Sequence, residues 1–306
     1  MSKKRKNRVK RKSHNQPLNH GPVQGQRSGV TKILDTTTTR KQGLTNLYML
    51  VVETQKVIVG LDDESRKSVF GHMLVIAKKL AKVADAADDY DKTERREIKR
   101  LTKQAKNIGE VVTEESTRLE QKAEEVLSQG KSTLDVMVKV LLPLWNINLN
   151  TYGKGGDSIV KSLQNNVPDE FKPKIQNLIE LIENDKEWIN AFKKYRDDQH
   201  YGNLGISVIQ ADKSGNYELP KMPDGSLVKD YINVLYENLF SFVMDFMALA
   251  IHSRMPGDAL TFAVNGEGHE RRYKLIVDTS KLPTLEPNSQ VSSEDISIAK
   301  PDKDIG

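Results

Sequence analysis

A mainly α-helical chain is predicted: a long helical hairpin, then a helical bundle carrying a minor β hairpin, between disordered termini. Three features predict it. Apolar residues recur at alternating four- and three-residue spacings over residues 63–90 and again over 98–126, the period of helices packed side by side. Residues 227–253 form a long, strongly apolar helix signal. Strand-like alternation is confined to two short stretches, each broken by Gly- and Asn-containing turns.

The organisation follows from where a core can form. Residues 1–36 open with MSKKRKNRVKRK and continue through a Gly-, Pro-, Gln- and Asn-rich run with almost no large apolar group. Such a segment cannot bury enough surface to offset chain entropy, so it is expected to be disordered. Residues 283–306 lack periodicity and are expected to form a second tail.

Between the tails, residues 37–150 are expected to hold the hairpin and a buried helix, and residues 157–282 the bundle. After a helix signal over Leu44 to Val59, the first seam runs through Val69, Met73, Ile76, Leu80, Val83, Ala87 and Tyr90, with Asp62 and Asp63 placed to cap its start. A polar joint at Asp91 to Thr93 separates it from Ile98, Leu101, Ala105, Ile108, Val112, Leu119, Ala123 and Val126, interrupted by Glu115. The hairpin is predicted to turn at that joint, and Gly130 to stop its second helix.

The seams require a partner, either later helices of this chain or a second copy. Residues 132–149 are apolar nearly all round, a buried helix bent or ended near Pro143. TYGKGGD, residues 151–157, reads as a flexible joint and a subdomain boundary. Its glycines lack the Gly-Lys-Ser/Thr order of a phosphate loop. Short helices follow around Ile159–Leu163, Phe171–Ile182 and Asp185–Asp198. A hairpin is expected in GISVIQADKSGNYELPKMPDGS, and a second pair of strand-like runs flanks the Asn265-Gly266 turn.

Charge is unevenly placed. The net charge is +5 over 306 residues, but eight of the 47 basic residues lie in the first 12, leaving 39 basic against 42 acidic in the rest, a balance of −3. The body is not basic, and the arm is. Lys3, Lys4, Arg5, Lys6, Arg8, Lys10, Arg11 and Lys12 are candidate nucleic-acid contacts, because a string of cations neutralises phosphates and releases counterions without reading sequence. A solubilising tail and a nuclear address are the alternatives. No aromatic residue interrupts the run, so base stacking is not expected there.

Cysteine is absent, which excludes disulfides, thiol nucleophiles and Cys-ligated zinc. The charged N-terminus is followed by no apolar stretch, and no run approaches the roughly 18 apolar residues of a membrane span. The expectation is therefore a cytoplasmic protein, nuclear in a eukaryotic host, without membrane contact. No cofactor motif is legible, and His200, His252 and His269 lack metal-ligand spacing, so neither cofactor nor metal is expected.

The candidate site is WINAFKKYRDDQHYGN, residues 188–203. On a helix, Trp188, Phe192 and Tyr195 form one apolar flank, while Arg196 and His200, four apart, share the adjoining face. An Arg and a His together supply a phosphate grip and a group that moves protons near neutral pH, the minimum for metal-free RNA cleavage. Asp197 is placed to orient either one. The plain alternative is structural, with Arg196 paired to a nearby acid and His200 capping a helix end.

Over about residues 171–253 this chain resembles the HEPN superfamily of helical nucleotide- and RNA-binding domains: an aromatic helix ending in Tyr195-Arg196-Asp197, then His200, a β-like insertion and a long apolar helix. Three residues separate Arg196 from His200, whereas the family's usual gap is four to six. The resemblance implies a homodimer that places two such motifs in one cleft and cleaves RNA through its ribose 2′-hydroxyl, with Arg196 and His200 as catalytic groups. The second reading is a noncatalytic scaffold, in which the seams assemble with a helical partner and the arm localises or tethers it.

Overall fold

A computed structural model of the chain describes residues 40, 44, 61–200, 208–255, 260–263 and 274–277, with side chains at 199, 200 and the last two segments outside the description. These residues belong to one contact unit, Leu34–Gly306. The basic arm, the 283–306 tail, most of the Leu44–Val59 helix and the Asn265-Gly266 turn lie outside the described residues. The mainly α architecture is as predicted.

Helix α1 spans Asp63–Ile108 without a break, about 69 Å at 1.5 Å per residue. Asp62 caps it, accepting from the Ser65 amide at 2.8 Å, and Gly109 ends it in a left-handed conformation with its N–H on the Ala105 carbonyl at 2.8 Å. The hairpin predicted at Asp91–Thr93 is therefore displaced by about five turns. The reason is local. Asp91, Lys92 and Thr93 include neither Gly nor Pro, and Tyr90, Glu94, Glu97 and Leu101 keep burying the same face through them.

The reversal comes at Gly109–Ser116 and carries strand β1, Val112–Glu115. Ser116 then caps α2, Thr117–Met137, accepting from the Leu119 amide at 3.4 Å. The two seams face one another and the later helices, so Val69, Met73, Ile76, Leu80, Val83 and Ala87 are buried within this chain.

Gly130 lies inside α2 and does not stop it. A Cβ there would sit 3.0 Å from the Phe192 ring and 3.6 Å from Leu239, so its role is close approach between helices. After Met137 the chain passes through one 3-10 turn, Val138–Val140, into α3, Leu141–Trp145, which ends at left-handed Asn146. Pro143 has no N–H to give to Lys139, and the tightened turn stands where that bond is missing.

The expected flexible joint is a packed loop. Tyr152 is fully buried, its N–H donates to Asp135 Oδ1 at 3.0 Å, and Lys193 donates to the Gly153 carbonyl. Gly153, Gly155 and Gly156 all have positive φ, so the glycines shape a fixed path. Helices α4 (Asp157–Asn166), α5 (Lys172–Asn184), α6 (Lys186–His200) and α7 (Val228–His252) follow. Helix α7 is central, packing on α1, α2 and α5.

By length and composition α7 could cross a membrane, so the expectation that no segment reaches that size is corrected. In this fold 72% of its apolar window is buried, as in a core helix.

Strands β2 (Val208–Ala211) and β3 (Tyr217–Glu218) form the predicted hairpin. β1 adds antiparallel to β2, with Val112 opposite Ala211 and Glu115 opposite Val208. β4 (Leu260–Ala263) pairs antiparallel with β5 (Lys274–Val277), Leu260 opposite Val277. β1 was hidden from periodicity because Val112 also fits the helical seam.

Candidate functional site

Helix α6 presents the candidate motif. Its inner face is anchored by Ile189 and Phe192, both essentially fully buried. Trp188 meets Phe242 edge-on at 5.9 Å, and its indole N–H donates to Asp185 Oδ1 at 2.7 Å. Tyr195 meets Tyr231 edge-on at 5.2 Å. Such edge contacts satisfy the ring quadrupoles and fix rotation about the helix axis.

With that face locked, Arg196 falls half-buried on the flank. Its Nη1 donates to Asp197 Oδ1 at 3.0 Å, and the Asp197 side chain is 55% exposed. Among the described residues this is the partner of the guanidinium, which carries five donors in all. His200 is the last residue of α6; its side chain lies outside the described residues. One turn before Arg196, burial lowers the Lys193 ammonium below its ordinary range, with Asp135 acting in the opposite direction.

The structure thus brings Arg196 and Asp197 together, on the helix predicted for them. The eight cations of the arm lie outside the described residues. Among the described residues, no group of three metal-ligating side chains converges.

Two polar features were not legible from spacing. The first centres on Arg40, which donates to Asp88 at 2.5 Å, to Asp91 at 3.0 Å and to Asn233, while its carbonyl accepts from the Tyr236 hydroxyl. It ties the chain just after the arm to α1 and α7, and no local pattern foretells a contact across 193 residues. The second is a row of lysines on the last turns of α1. Its signal, Lys99, Lys103 and Lys106 at helical spacing, was masked by the acidic balance of the body.

Near the Arg40 cluster Glu94 is buried, 3% exposed. Burial pushes its carboxyl up; Lys229 opposes the shift, and Asp91 and Asp230 add to it. The folded protein holds this proton to higher pH than the unfolded chain. The stabilisation is therefore complete below the unfolded carboxyl range and is lost as pH rises through the folded value. Glu94→Gln is expected to raise the thermal midpoint at pH 7 by about 2–4 °C. The gain should close below about pH 4, which melting curves over a pH series would check.

No family model, curated protein or solved structure matches this chain.

Proposed function

We propose that this chain is a HEPN-like RNA-binding protein that grips a phosphate through Arg196, with the basic arm adding sequence-independent affinity. One observation carries the reading. Arg196 stands on the flank of a helix whose opposite face is locked into the core, and its partner among the described residues is the neighbouring, largely exposed Asp197. A phosphodiester can take further guanidinium donors while Asp197 holds the group in orientation. The order of aromatic helix, β insertion and long apolar helix agrees with the resemblance.

The reaction suited to the pair is metal-independent cleavage. His200 takes the 2′-hydroxyl proton as the 2′-oxygen attacks phosphorus, the P–O5′ bond breaks, and the leaving 5′-oxygen takes a proton from the protonated His200 of the second motif. The products are a cyclic phosphate and a 5′-hydroxyl. Two copies of the motif in a symmetric dimer form the cleft in this proposal.

The scaffold alternative would offer the seams to a partner; most of their residues are buried within this chain, while Ile108 is 55% exposed.

Incubation of labelled structured RNA in EDTA tests this, using wild type, Arg196→Ala, His200→Ala and a full-length variant with the eight arm cations changed to Gln. Wild type and the arm variant are expected to cleave, and His200→Ala to lose about 100-fold or more. Arg196→Ala should also bind RNA more weakly. RNA binding and cleavage unaltered by Arg196→Ala would refute the reading.

A further inference from the structure

The last turns of α1 and the β2–β3 turn enclose an open groove of about 430 Å³, lined among others by Lys99, Lys103, Lys106, Asn107 and Tyr217. We propose that this groove binds single-stranded nucleic acid, with successive phosphates on the three lysines and a base stacked on Tyr217.

The lysines lie at i, i+4 and i+7, so the helical period sets them on one face over about 10 Å of axis. Lys92 and Arg96 continue the same stripe toward the N-terminus, and all five side chains are exposed. Among the described residues, none of the three groove lysines has an ion-pair or hydrogen-bond partner.

Three other cations on α1 are paired. Arg66 pairs with Asp63, Lys92 with Asp89, and Arg100 with both Glu97 and Glu114. Glu94 and Glu97 are buried on the far side of the helix, and no carboxylate lines the groove. The lining itself thus carries three cations and no acid, a local charge that attracts phosphate.

The aromatic component comes from a distant part of the chain. Tyr217 is 52% exposed on β3, where it pairs with Ala211 of β2. β2 is in turn held by β1, which grows from the reversal just after α1. The sheet therefore positions a solvated ring beside the lysine row.

A cationic track beside an aromatic face is the chemistry that holds single strands without reading sequence. The lysines stand in line and do not converge, which fits a chain of phosphates better than one phosphate group. The inference uses neither Arg196 nor His200 and stands apart from the reading of α6.

The test is fluorescence anisotropy of labelled oligouridine and oligothymidine strands about 15 nucleotides long. The parent is the full-length protein with its arm cations changed to Gln. Tyr217→Ala is expected to weaken binding about tenfold, with Tyr217→Phe close to the parent. Changing Lys99, Lys103 and Lys106 together to Gln should flatten the slope of log affinity against log salt by about 2.

Circular dichroism and melting curves establish that each variant is folded. Weaker binding by the lysine variant, with Tyr217→Ala equal to the parent, would overturn the groove in favour of a general polyanion surface. Equal affinity across all variants would overturn it outright. Arg196→Ala in the same series separates the two sites: loss there alone rejects the groove, and loss in the groove variants alone rejects the phosphate grip of α6. Preference between the two strands assigns the ligand to RNA or DNA.

Discussion

Gly156→Ala is expected to destabilise the fold by about 3 kcal/mol. Gly156 precedes α4 at φ 79, a left-handed conformation that costs a residue with a Cβ about 1–2 kcal/mol. That Cβ would also lie 2.4 Å from Ile182 Cγ2 and 3.0 Å from the Tyr152 hydroxyl. Both neighbours are fully buried, so neither can swing into solvent, and overpacking of this kind costs about 1–3 kcal/mol more.

Gly155→Ala is the internal control. Its φ is also positive, but the atoms its Cβ would meet belong to Lys186 and Asn190, side chains with room to move. The expected cost there is about 1–2 kcal/mol, the conformational part alone. Urea denaturation of the two variants checks the pair. Equal, small losses would show that the 151–157 loop gives way and is the flexible joint that its glycines announce in sequence.

Phe242→Ala should cost about 3–5 kcal/mol, the usual range for emptying a buried aromatic site. Phe242 is 2% exposed and meets three aromatic rings at once. Its ring meets Tyr152 of the packed loop at 5.8 Å, Trp188 of α6 at 5.9 Å and Phe246, one turn on in α7, at 6.1 Å. Removing it leaves the loop and α6 without their shared contact on α7.

Because Arg196 rides on α6, the same variant is expected to weaken RNA binding beyond what partial unfolding explains. Trp188 fluorescence reports the local change, and thermal melts report the global one. A variant with an altered Trp188 spectrum and unchanged RNA affinity would mean that the anchoring of α6 does not position Arg196.

How much was legible depends on the range of the interaction. Helices with a sustained apolar period declared themselves, since Val69 to Tyr90 and Leu119 to Val126 bury the side chains their spacing marks. The Asp62 cap was visible for the same reason: its partner is three residues away. The β2–β3 hairpin was visible through its turn chemistry.

Breaks in helices were misread where polarity stood in for a breaker. Asp91–Thr93 looks like a joint, yet nothing in it prevents a helix. Gly130 looks like a stop, but its missing side chain makes room for Phe192. β1 was invisible because a four-residue strand becomes one only when β2 arrives to pair with it.

The site divides in the same way. Sequence by itself determined that Arg196 and His200 share a helix, and that Trp188, Phe192 and Tyr195 would hold that helix in place, because these relations are one to two helical turns long. It also determined the basic arm and the mainly α class. Only the tertiary structure decided that the seams close on one another within the chain, that Arg40 is bound between Asp88, Asp91 and Asn233, and that Tyr217 stands beside Lys99, Lys103 and Lys106. Those contacts join residues tens to nearly two hundred positions apart. No local period encodes such distances, and the packing of α7 and the pairing of β1 with β2 set them.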